Sequence, residues 1–478
     1  MYAVRGRVIL KYGGQLCVML SLLTVVPLVV ALVDNEWLLA QRYALLCAGL
    51  LLTGWFLARL RVPAYIQDNE ALTITALAFM LSPLLMSWPL MVAEIPFIDA
   101  LFEAVSGVTT TGLSTIGTIE QRSYGFLFAR AWMQWYGGLG IVVLSIALLM
   151  GHHAAARRLA EPIESGKTLI ATARTHARHS LIIYLGLTLL GLIVVWPLAG
   201  DGKTALVHVL ASVSTGGFSS YDDSLANLRH SVAIAIMVIA FLSAVSLPLY
   251  WRILHAGWRD SLRSLLADAE LRALLLGGLL VGGFLVWQLQ GTENHVYNGL
   301  LMGMSAQTTT GFNTLSVAEM NPASKLVMII SMLSGGSIGS SAGGVKLLRL
   351  LIFLRFLQLL IRRSAMQPHA VAEPYLAGQK LETDDMLRTL LLILLFIGIV
   401  LLSWLPFVML GYDPLDALFE VASACGTVGL STGISRPELE PLLKCVLCFD
   451  MLAGRLEIIA LLVVLYPRNW IGRREVTK

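Results

Sequence analysis

Residues 109–114 read TTTGLS, and three later stretches repeat this string with small changes: STGGFS at 214–219, TTTGFN at 308–313 and GTVGLS at 426–431. In every copy a threonine stands two residues before a central glycine, and a bulky apolar residue follows that glycine. The glycines are Gly112, Gly217, Gly311 and Gly429, and the threonines are Thr110, Thr215, Thr309 and Thr427. One Thr-x-Gly turn arises easily by chance, but four copies in register indicate a repeated structural unit.

The segment before each loop has the pattern of a short helix. Thirteen residues before each glycine stands a residue type that favours a helix N-cap, and an apolar stretch follows it. These four residues are Asp99, Thr204, Asn298 and Asp416. We therefore predict that each unit consists of a cap, a half-helix of about two turns and a Thr-x-Gly loop. The negative end of each half-helix dipole would face the loop and favour a cation there.

The composition is that of a membrane protein. Of the 478 residues, 57% are hydrophobic and 13% are charged, whereas soluble domains carry about 25% charged residues. Ten runs are apolar and long enough, at roughly 20 residues, to cross a bilayer. They lie near residues 8–33, 42–60, 71–93, 124–151, 180–199, 231–254, 271–290, 324–361, 386–410 and 441–466. The four glycine loops fall between these runs in segments too short to span, which predicts four re-entrant segments.

Basic and acidic residues alternate between the connections of these runs. Arginine and lysine cluster before the first run and after the even-numbered runs, while acidic residues occupy the other connections. Because cytoplasmic loops are enriched in Lys and Arg, this pattern predicts cytoplasmic termini and four re-entrant segments that enter from the outer face. The first run is too long for the roughly 7–15-residue core of a signal peptide, so we interpret it as a membrane helix.

The residue types in the four loops suit a dehydrated potassium ion. Backbone carbonyls replace its water without adding net charge, glycine permits the backbone angles that turn successive carbonyls inward, and threonine adds a hydroxyl oxygen. The predicted filter comprises Thr110, Thr111, Gly112, Thr215, Gly216, Gly217, Thr309, Thr310, Gly311, Thr427, Val428 and Gly429. The predicted ion contacts within it are Thr110, Thr111, Thr215, Gly216, Thr309, Thr310, Thr427 and Val428.

Three further strings accompany the repeat. Residues 134–144 read QWYGGLGIVVL, residues 454–457 read GRLE, and residues 334–344 read SGGSIGSSAGG, followed by Lys346. Together with the fourfold repeat, these strings make the chain resemble the Trk/Ktr/HKT superfamily of potassium transporters, and specifically its bacterial Trk-type membrane subunits. The resemblance extends over nearly the whole chain.

This resemblance implies an all-α polytopic membrane protein with four pseudo-fourfold helix–pore loop–helix repeats around one central pore. Two transmembrane helices precede the repeats. The units are residues 1–66 for the leading helices and residues 67–165, 166–262, 263–370 and 371–478 for pore repeats one to four.

The resemblance also implies the partners and the location. It implies the lipid of a bacterial inner membrane, a homodimer and a cytosolic nucleotide-binding regulatory ring. Potassium is then the transported ion. We expect no organic cofactor, no nucleic-acid partner and no enzymatic activity, since the sequence has no HExxH motif and no paired intramembrane aspartates.

The glycine-rich string at residues 334–344 has two interpretations. It is either close small-residue helix packing or an unwound loop below the filter, corresponding to the gating loop of the family. The gate that the resemblance implies comprises Gly335, Gly336, Gly339, Gly343, Gly344, Lys346 and Arg455.

Arg455 lies in an apolar run, where an ionisable side chain usually faces an interior cavity. It either forms an ion pair with Asp450 or Glu457, or projects into the pore and raises the barrier for cations. Asp450 and Glu457 are seven residues apart and would share one helix face, from which Arg455 points away. This spacing favours the pore interpretation.

Glu103 and Glu420 occupy matching positions before the first and fourth loops, where the other repeats have His208 and Met302. They either bond the backbone that supports the filter or stabilise the first helical turn. Two alternative functions remain, a less selective sodium/potassium channel and a cation symporter. Family members that pass sodium can carry serine in the first loop, so glycine in all four loops favours potassium.

Overall fold

The computed structural model is almost entirely helical and describes residues 3–63, 66–152, 169–367, 373–376 and 379–471. The first ten helices are α1 (Gly6–Val33), α2 (Trp37–Ala58), α3 (Asp68–Leu90), α4 (Phe97–Val108), α5 (Tyr124–His152), α6 (Leu169–Ala199), α7 (Gly202–Val213), α8 (His230–Ala244), α9 (Leu247–His255) and α10 (Trp258–Ala267). The others are α11 (Ala269–Gln288), α12 (His295–Gln307), α13 (Pro322–Ser334), α14 (Leu347–Ser364), α15 (Thr383–Met409), α16 (Pro414–Cys425), α17 (Pro441–Arg455), α18 (Ile459–Leu465) and α19 (Pro467–Trp470).

The remaining regular structure is short. Single 3₁₀ turns occur at Met91–Ala93, Ile119–Gln121 and Val317–Glu319. Strand β1 (Tyr375–Leu376) pairs antiparallel with β2 (Gln379–Lys380). This small hairpin packs beside α14, so the fold is in effect all-α, as the sequence predicts.

Six helices within the described residues are long and apolar enough to cross a membrane, and a bent pair makes a seventh. The six are α1, α2, α3, α6, α11 and α15. Large apolar side chains on them are left exposed, as on a lipid-facing surface, for example Leu52 at 68% and Leu402 at 69%. The protein is therefore a multi-pass membrane protein.

Three of the ten predicted runs are interrupted rather than continuous. The run at 231–254 bends by 87° between α8 and α9. In a continuous helix the ring of Pro248 would clash with the carbonyl of Ala244. The run at 324–361 is broken between α13 and α14, and the last run is broken between α17 and α18. Hydropathy alone does not detect such breaks, because the residues within them remain apolar or small.

The four short helices before the glycine loops, α4, α7, α12 and α16, are named the pore helices here. They contain 12, 12, 13 and 12 residues, more than the predicted two turns. The predicted caps are wrong, because each helix begins earlier and the named residue lies inside its first turn. The side chains that cap α7 and α16 are those of Asp201 and Asp413, which accept backbone N–H groups.

The predicted boundaries between units are only partly covered by the described residues. The divisions at 165/166 and 370/371 lie outside them, as do the basic residues Arg157, Arg158, Lys167, Arg473, Arg474 and Lys478. The division at 262/263 falls within α10. Between the divisions, each repeat consists of a long helix, a pore helix, a loop and a second helix, and α1 and α2 pack against each other ahead of them.

Candidate ion-binding site

The backbone of the four glycine loops has the same conformation in every repeat. The four threonines adopt left-handed φ angles of 55°, 51°, 53° and 49° at Thr110, Thr215, Thr309 and Thr427. The four glycines have φ angles of 92°, 75°, 80° and 97° at Gly112, Gly217, Gly311 and Gly429. A left-handed β-branched residue costs about 1–2 kcal/mol, so four equivalent cases indicate a conformation imposed by surrounding structure.

Each loop is fixed to the end of its own pore helix by one equivalent backbone hydrogen bond. The donor is the amide of the residue between threonine and glycine, and the acceptor is a carbonyl five residues earlier. The bonds run from Thr111 to Ser106 (2.9 Å), Gly216 to Ala211 (2.8 Å), Thr310 to Ser305 (3.0 Å) and Val428 to Ser423 (2.9 Å). The C-terminal, partially negative end of every pore helix therefore lies next to its loop.

The four loops meet in a closed ring. A Cβ atom built on each loop glycine would lie closer than 3.0 Å to a carbonyl oxygen of the next repeat. The contacts join Gly112 to Gly216, Gly217 to Thr310, Gly311 to Val428 and Gly429 to Thr111. Because each contact joins a repeat to its successor and the last returns to the first, the loops surround one axis at one depth. Only glycine permits this approach.

The threonine hydroxyls around the ring have different partners. Thr215 donates to the carbonyl of Ser214 at 2.7 Å, and Thr309 accepts from the amide of Gly343 at 2.7 Å. The buried hydroxyls of Thr110 and Thr427 have no hydrogen-bond partner within the described residues. Leaving a buried polar group unpaired costs about 1–3 kcal/mol, and the chemistry of these two hydroxyl oxygens suits contact with a cation.

Glu103 and Glu420 accept hydrogen bonds from the segment that follows their glycine loops, and neither lies in the first turn of its helix. Glu103 accepts from Ser114 and from the amide of Thr115. Glu420 accepts from the matching Ser431 at 2.8 Å. The second repeat has the same contact, 3.0 Å between His208 Nε2 and Ser219 Oγ, whereas the apolar Met302 of the third repeat makes none.

Residues 335–346 form an irregular, buried loop between α13 and α14, so helix–helix packing of this string is excluded. Three of its glycines, Gly335, Gly339 and Gly344, have φ angles of 73°, 74° and 74°. The loop lies directly against the ring, since Gly343 donates to the hydroxyl of Thr309. A Cβ on Gly343 would overlap the hydroxyl of Thr427.

The other predicted gate residues stabilise this loop. Gly336 donates to the Gly343 carbonyl at 3.3 Å and closes the loop on itself. Lys346 is buried, has a left-handed φ of 78°, and donates from Nζ to the Ala342 carbonyl. The predicted gate residues from Gly335 to Lys346 therefore lie in one loop beside the ring.

Arg455 is the last residue of α17 and reaches the same loop. Its Nη1 donates to the Ser341 carbonyl at 2.8 Å, while its buried Nε and Nη2 have no hydrogen-bond partner within the described residues. An ion pair with Asp450 or Glu457 is wrong, because Asp450 accepts from Ser403 and Glu457 pairs with Arg349. The predicted shared helix face is also wrong. The helix ends at Arg455, and Glu457 adopts a left-handed φ of 53°.

Sequence reasoning missed two ion pairs that join neighbouring repeats, one partly buried and one buried. Lys325 of α13 contacts Asp416 of pore helix α16 at 2.6 Å, and Lys444 of α17 contacts Asp99 of pore helix α4 at 2.5 Å. The sequence does contain a signal for these pairs, because a lysine inside an apolar run requires a partner of opposite charge.

Sequence reasoning also missed the contacts of Arg130 and Gln134 on α5. Arg130 Nε pairs with Glu103 at 2.8 Å, and Gln134 contacts the second loop. Gln134 stands in a quoted string, but the partner of its amide is 82 positions away and is not visible in the sequence.

Comparisons with known proteins agree with this geometry. A family model described as TrkH, cation transport protein, matches residues 64–470. The Trk system potassium uptake protein TrkI of Halomonas elongata is 30% identical over 482 residues, covering 97% of this chain and 96% of that protein. TrkG of Escherichia coli K12, also named a Trk system potassium uptake protein, is 28% identical over 490 residues, covering 97% and 98%.

A solved structure shows the same fold. The crystal structure of the potassium transporter TrkH from Vibrio parahaemolyticus aligns with a TM-score of 0.86 at 24% identity, covering 98% of this chain and 100% of that chain. The family resemblance predicted from the fourfold repeat is confirmed. The chain belongs to the TrkH family of cation transport proteins.

Proposed function

We propose that this chain is the potassium-conducting membrane subunit of a Trk-type uptake system in a bacterial inner membrane, with both termini in the cytoplasm. The names of the relatives support potassium as the transported ion. One observation carries the proposal: four loops of identical backbone conformation close into a ring around one axis.

The proposed filter replaces the hydration shell of the ion with neutral oxygens. The ligands are backbone carbonyls of the ring together with the threonine hydroxyls at its base. They are supplied by Thr110, Thr111, Thr215, Gly216, Thr309, Thr310, Thr427 and Val428. Four pore-helix C-termini add negative potential without a formal charge, which favours a cation but does not hold it tightly.

The proposed gate is the loop of residues 335–346 beneath the ring. Its contacts with Thr309 and Thr427 support a position across the base of the filter. Arg455 holds the loop at Ser341 and adds a positive charge close to the ion path. Displacement of the loop would break its hydrogen bonds to Thr309 and Arg455 and others, such as those to Ser243 and Ala244. We propose that a conformational change in a partner supplies this free energy.

Homodimerisation and docking of a cytosolic nucleotide-binding ring are part of the proposal. The basic cytoplasmic connections, including Arg259 and Arg272, are available for such docking by charge. The rival function is a less selective sodium/potassium pathway or a cation symporter.

The test is ion flux with purified full-length chain in liposomes, comparing potassium, rubidium, sodium and lithium. Potassium and rubidium should pass and sodium should be excluded. Cells without their own potassium uptake should regain growth at low potassium when they produce the chain. Equal sodium and potassium fluxes would favour the unselective pathway. Potassium flux that is driven by a proton gradient in the same direction would favour the symporter.

A further inference from the structure

We propose that Gln134 determines the ion preference of the filter, because its amide fills the position of a missing side chain at Gly216 and binds one carbonyl of the ring. This inference rests on the proposed potassium filter and assigns a role to a residue outside it.

Gln134 lies on α5 of the first repeat and is completely buried. Its Nε2 donates to the Gly216 carbonyl of the second repeat, and its Oε1 accepts from the Phe218 amide at 3.1 Å. One side chain therefore binds the backbone on both sides of the filter glycine Gly217. Both polar groups of the amide are satisfied, as a buried amide requires.

Gly216 differs from its counterparts in the other repeats. Those are Thr111, Thr310 and Val428, all with branched side chains. The hydroxyls of Thr111 and Thr310 each contact the threonine two residues earlier, at 2.8 Å. A Cβ at Gly216 would lie closer than 3.0 Å to three atoms of the Gln134 amide. Its φ is not left-handed, so the backbone does not require glycine there. The glutamine excludes a side chain.

The other repeats have no equivalent of this glutamine. Gln134 stands 22 residues after the filter glycine of its repeat. The matching residues are Ile239, Leu333 and Met451. None of these side chains can donate to a carbonyl, so the contact occurs at one of the four junctions in the ring.

Because of this hydrogen bond, the four ring carbonyls are not equivalent as ligands for a cation. Within the described residues, the carbonyls of Thr111, Thr310 and Val428 accept no hydrogen bond, whereas the Gly216 carbonyl accepts one from Gln134. A carbonyl that already binds an N–H group is a weaker ligand for a cation. Because small ions gain most from strong ligands, a weakened carbonyl favours potassium over sodium.

The experiment compares three variants of the full-length chain in liposomes, each normalised to the amount of folded protein. Gln134→Leu removes both hydrogen bonds and should lower the potassium-to-sodium flux ratio by about fivefold, the effect of one neutral hydrogen bond. Gly216→Thr should reduce the yield of folded protein, because the new side chain overlaps Gln134. Gln134→Ala/Gly216→Thr reproduces the threonine arrangement of the first and third repeats and should recover the yield.

The double variant separates the donor role from simple space filling. It should keep the lowered potassium-to-sodium flux ratio, because the carbonyl of residue 216 no longer accepts a hydrogen bond from residue 134. If it restores the wild-type ratio, Gln134 only fills space and the proposal is wrong. A wild-type ratio in Gln134→Leu would overturn it as well. The matched control is Gln288→Leu, at the partly exposed contact with Asn321, which should leave the ratio unchanged.

Failure of the proposed function is distinguishable from failure of this inference. If the wild-type chain conducts no alkali cation, the filter itself is wrong. If the wild type is potassium-selective and Gln134→Leu matches it, only the role of Gln134 is wrong. The predicted overlap between a side chain at position 216 and Gln134 is tested separately. The measurement is the amount of Gly216→Thr and of the double variant that elutes as folded protein in detergent. A Gly216→Thr variant as abundant as wild type would contradict it.

Discussion

The guanidinium of Arg455 donates a 2.8 Å hydrogen bond from Nη1 to the carbonyl of Ser341. This bond joins the end of α17 to the irregular loop that lies against Thr309 and Thr427. The two elements are 114 residues apart in sequence. One side chain therefore couples the position of α17 to that of the proposed gate, and its charge lies where the proposed ion path leaves the filter.

Removing that charge and that bond should increase ion flow. Arg455→Ala should raise potassium flux per protein by about tenfold, the effect of about 1.4 kcal/mol of barrier, because a cation no longer passes a buried positive charge. Arg455→Lys keeps the charge and should give a smaller increase. Flux of the purified variants in liposomes measures this. Arg468→Ala, on the exposed helix α19, is the control, and an unchanged flux in Arg455→Ala would refute the pore role.

Shortening the loop should open the path and leave selectivity intact. Deletion of residues 337–340 removes the segment between Gly336 and Ser341 but keeps the filter, so potassium flux should rise several-fold at a constant potassium-to-sodium ratio. Both quantities come from the same liposome assay. A deletion variant that folds normally and conducts at the wild-type rate would show that this loop is no gate.

Substitution of a filter glycine should reduce selectivity. A Cβ at Gly311 would overlap the Val428 carbonyl, and the φ of 80° disfavours any side chain. Gly311→Ser should therefore displace ring carbonyls and lower the potassium-to-sodium flux ratio by about tenfold or more. Equivalent substitutions in the other loops should act alike. Gly257→Ser is the matched control, since a Cβ added at Gly257 would meet no atom within 4 Å. Constant ratios in all four variants would contradict the filter assignment.

The buried Lys444–Asp99 pair should contribute strongly to stability. Lys444→Met leaves a buried carboxylate without its cation, and breaking such a pair costs about 3–5 kcal/mol. The thermal unfolding midpoint in detergent should fall clearly, and Asp99→Asn/Lys444→Met should recover part of the loss. Arg436→Met at the exposed pair with Glu438, which lies at 3.9 Å, should change stability by less than about 1 kcal/mol. If Lys444→Met and Arg436→Met lost the same amount of stability, the larger contribution of the buried pair would be contradicted.

Much of the fold was predictable from local patterns. The apolar runs identify a multi-pass membrane protein, because a bilayer accepts only segments that satisfy their own backbone hydrogen bonds. The Thr-x-Gly repeat identifies four equivalent loops, since the recurrence of the same residue types at the same spacing is visible in the sequence. The string at residues 334–344 indicates a break in a helix for the same local reason. Local patterns were thus sufficient for the class, the repeat and the family.

Contacts between distant segments are visible in the tertiary structure and could not be predicted from the sequence. No pattern indicates that Gln134 occupies the space beside Gly216, that Lys444 neutralises Asp99, or that Arg455 reaches Ser341 rather than Asp450. Helix starts were misplaced for a related reason: Asp99 and Asp416 have the chemistry of caps but form ion pairs with neighbouring repeats. A sequence specifies which group a residue carries, whereas the partner of that group depends on how four similar units pack around one axis.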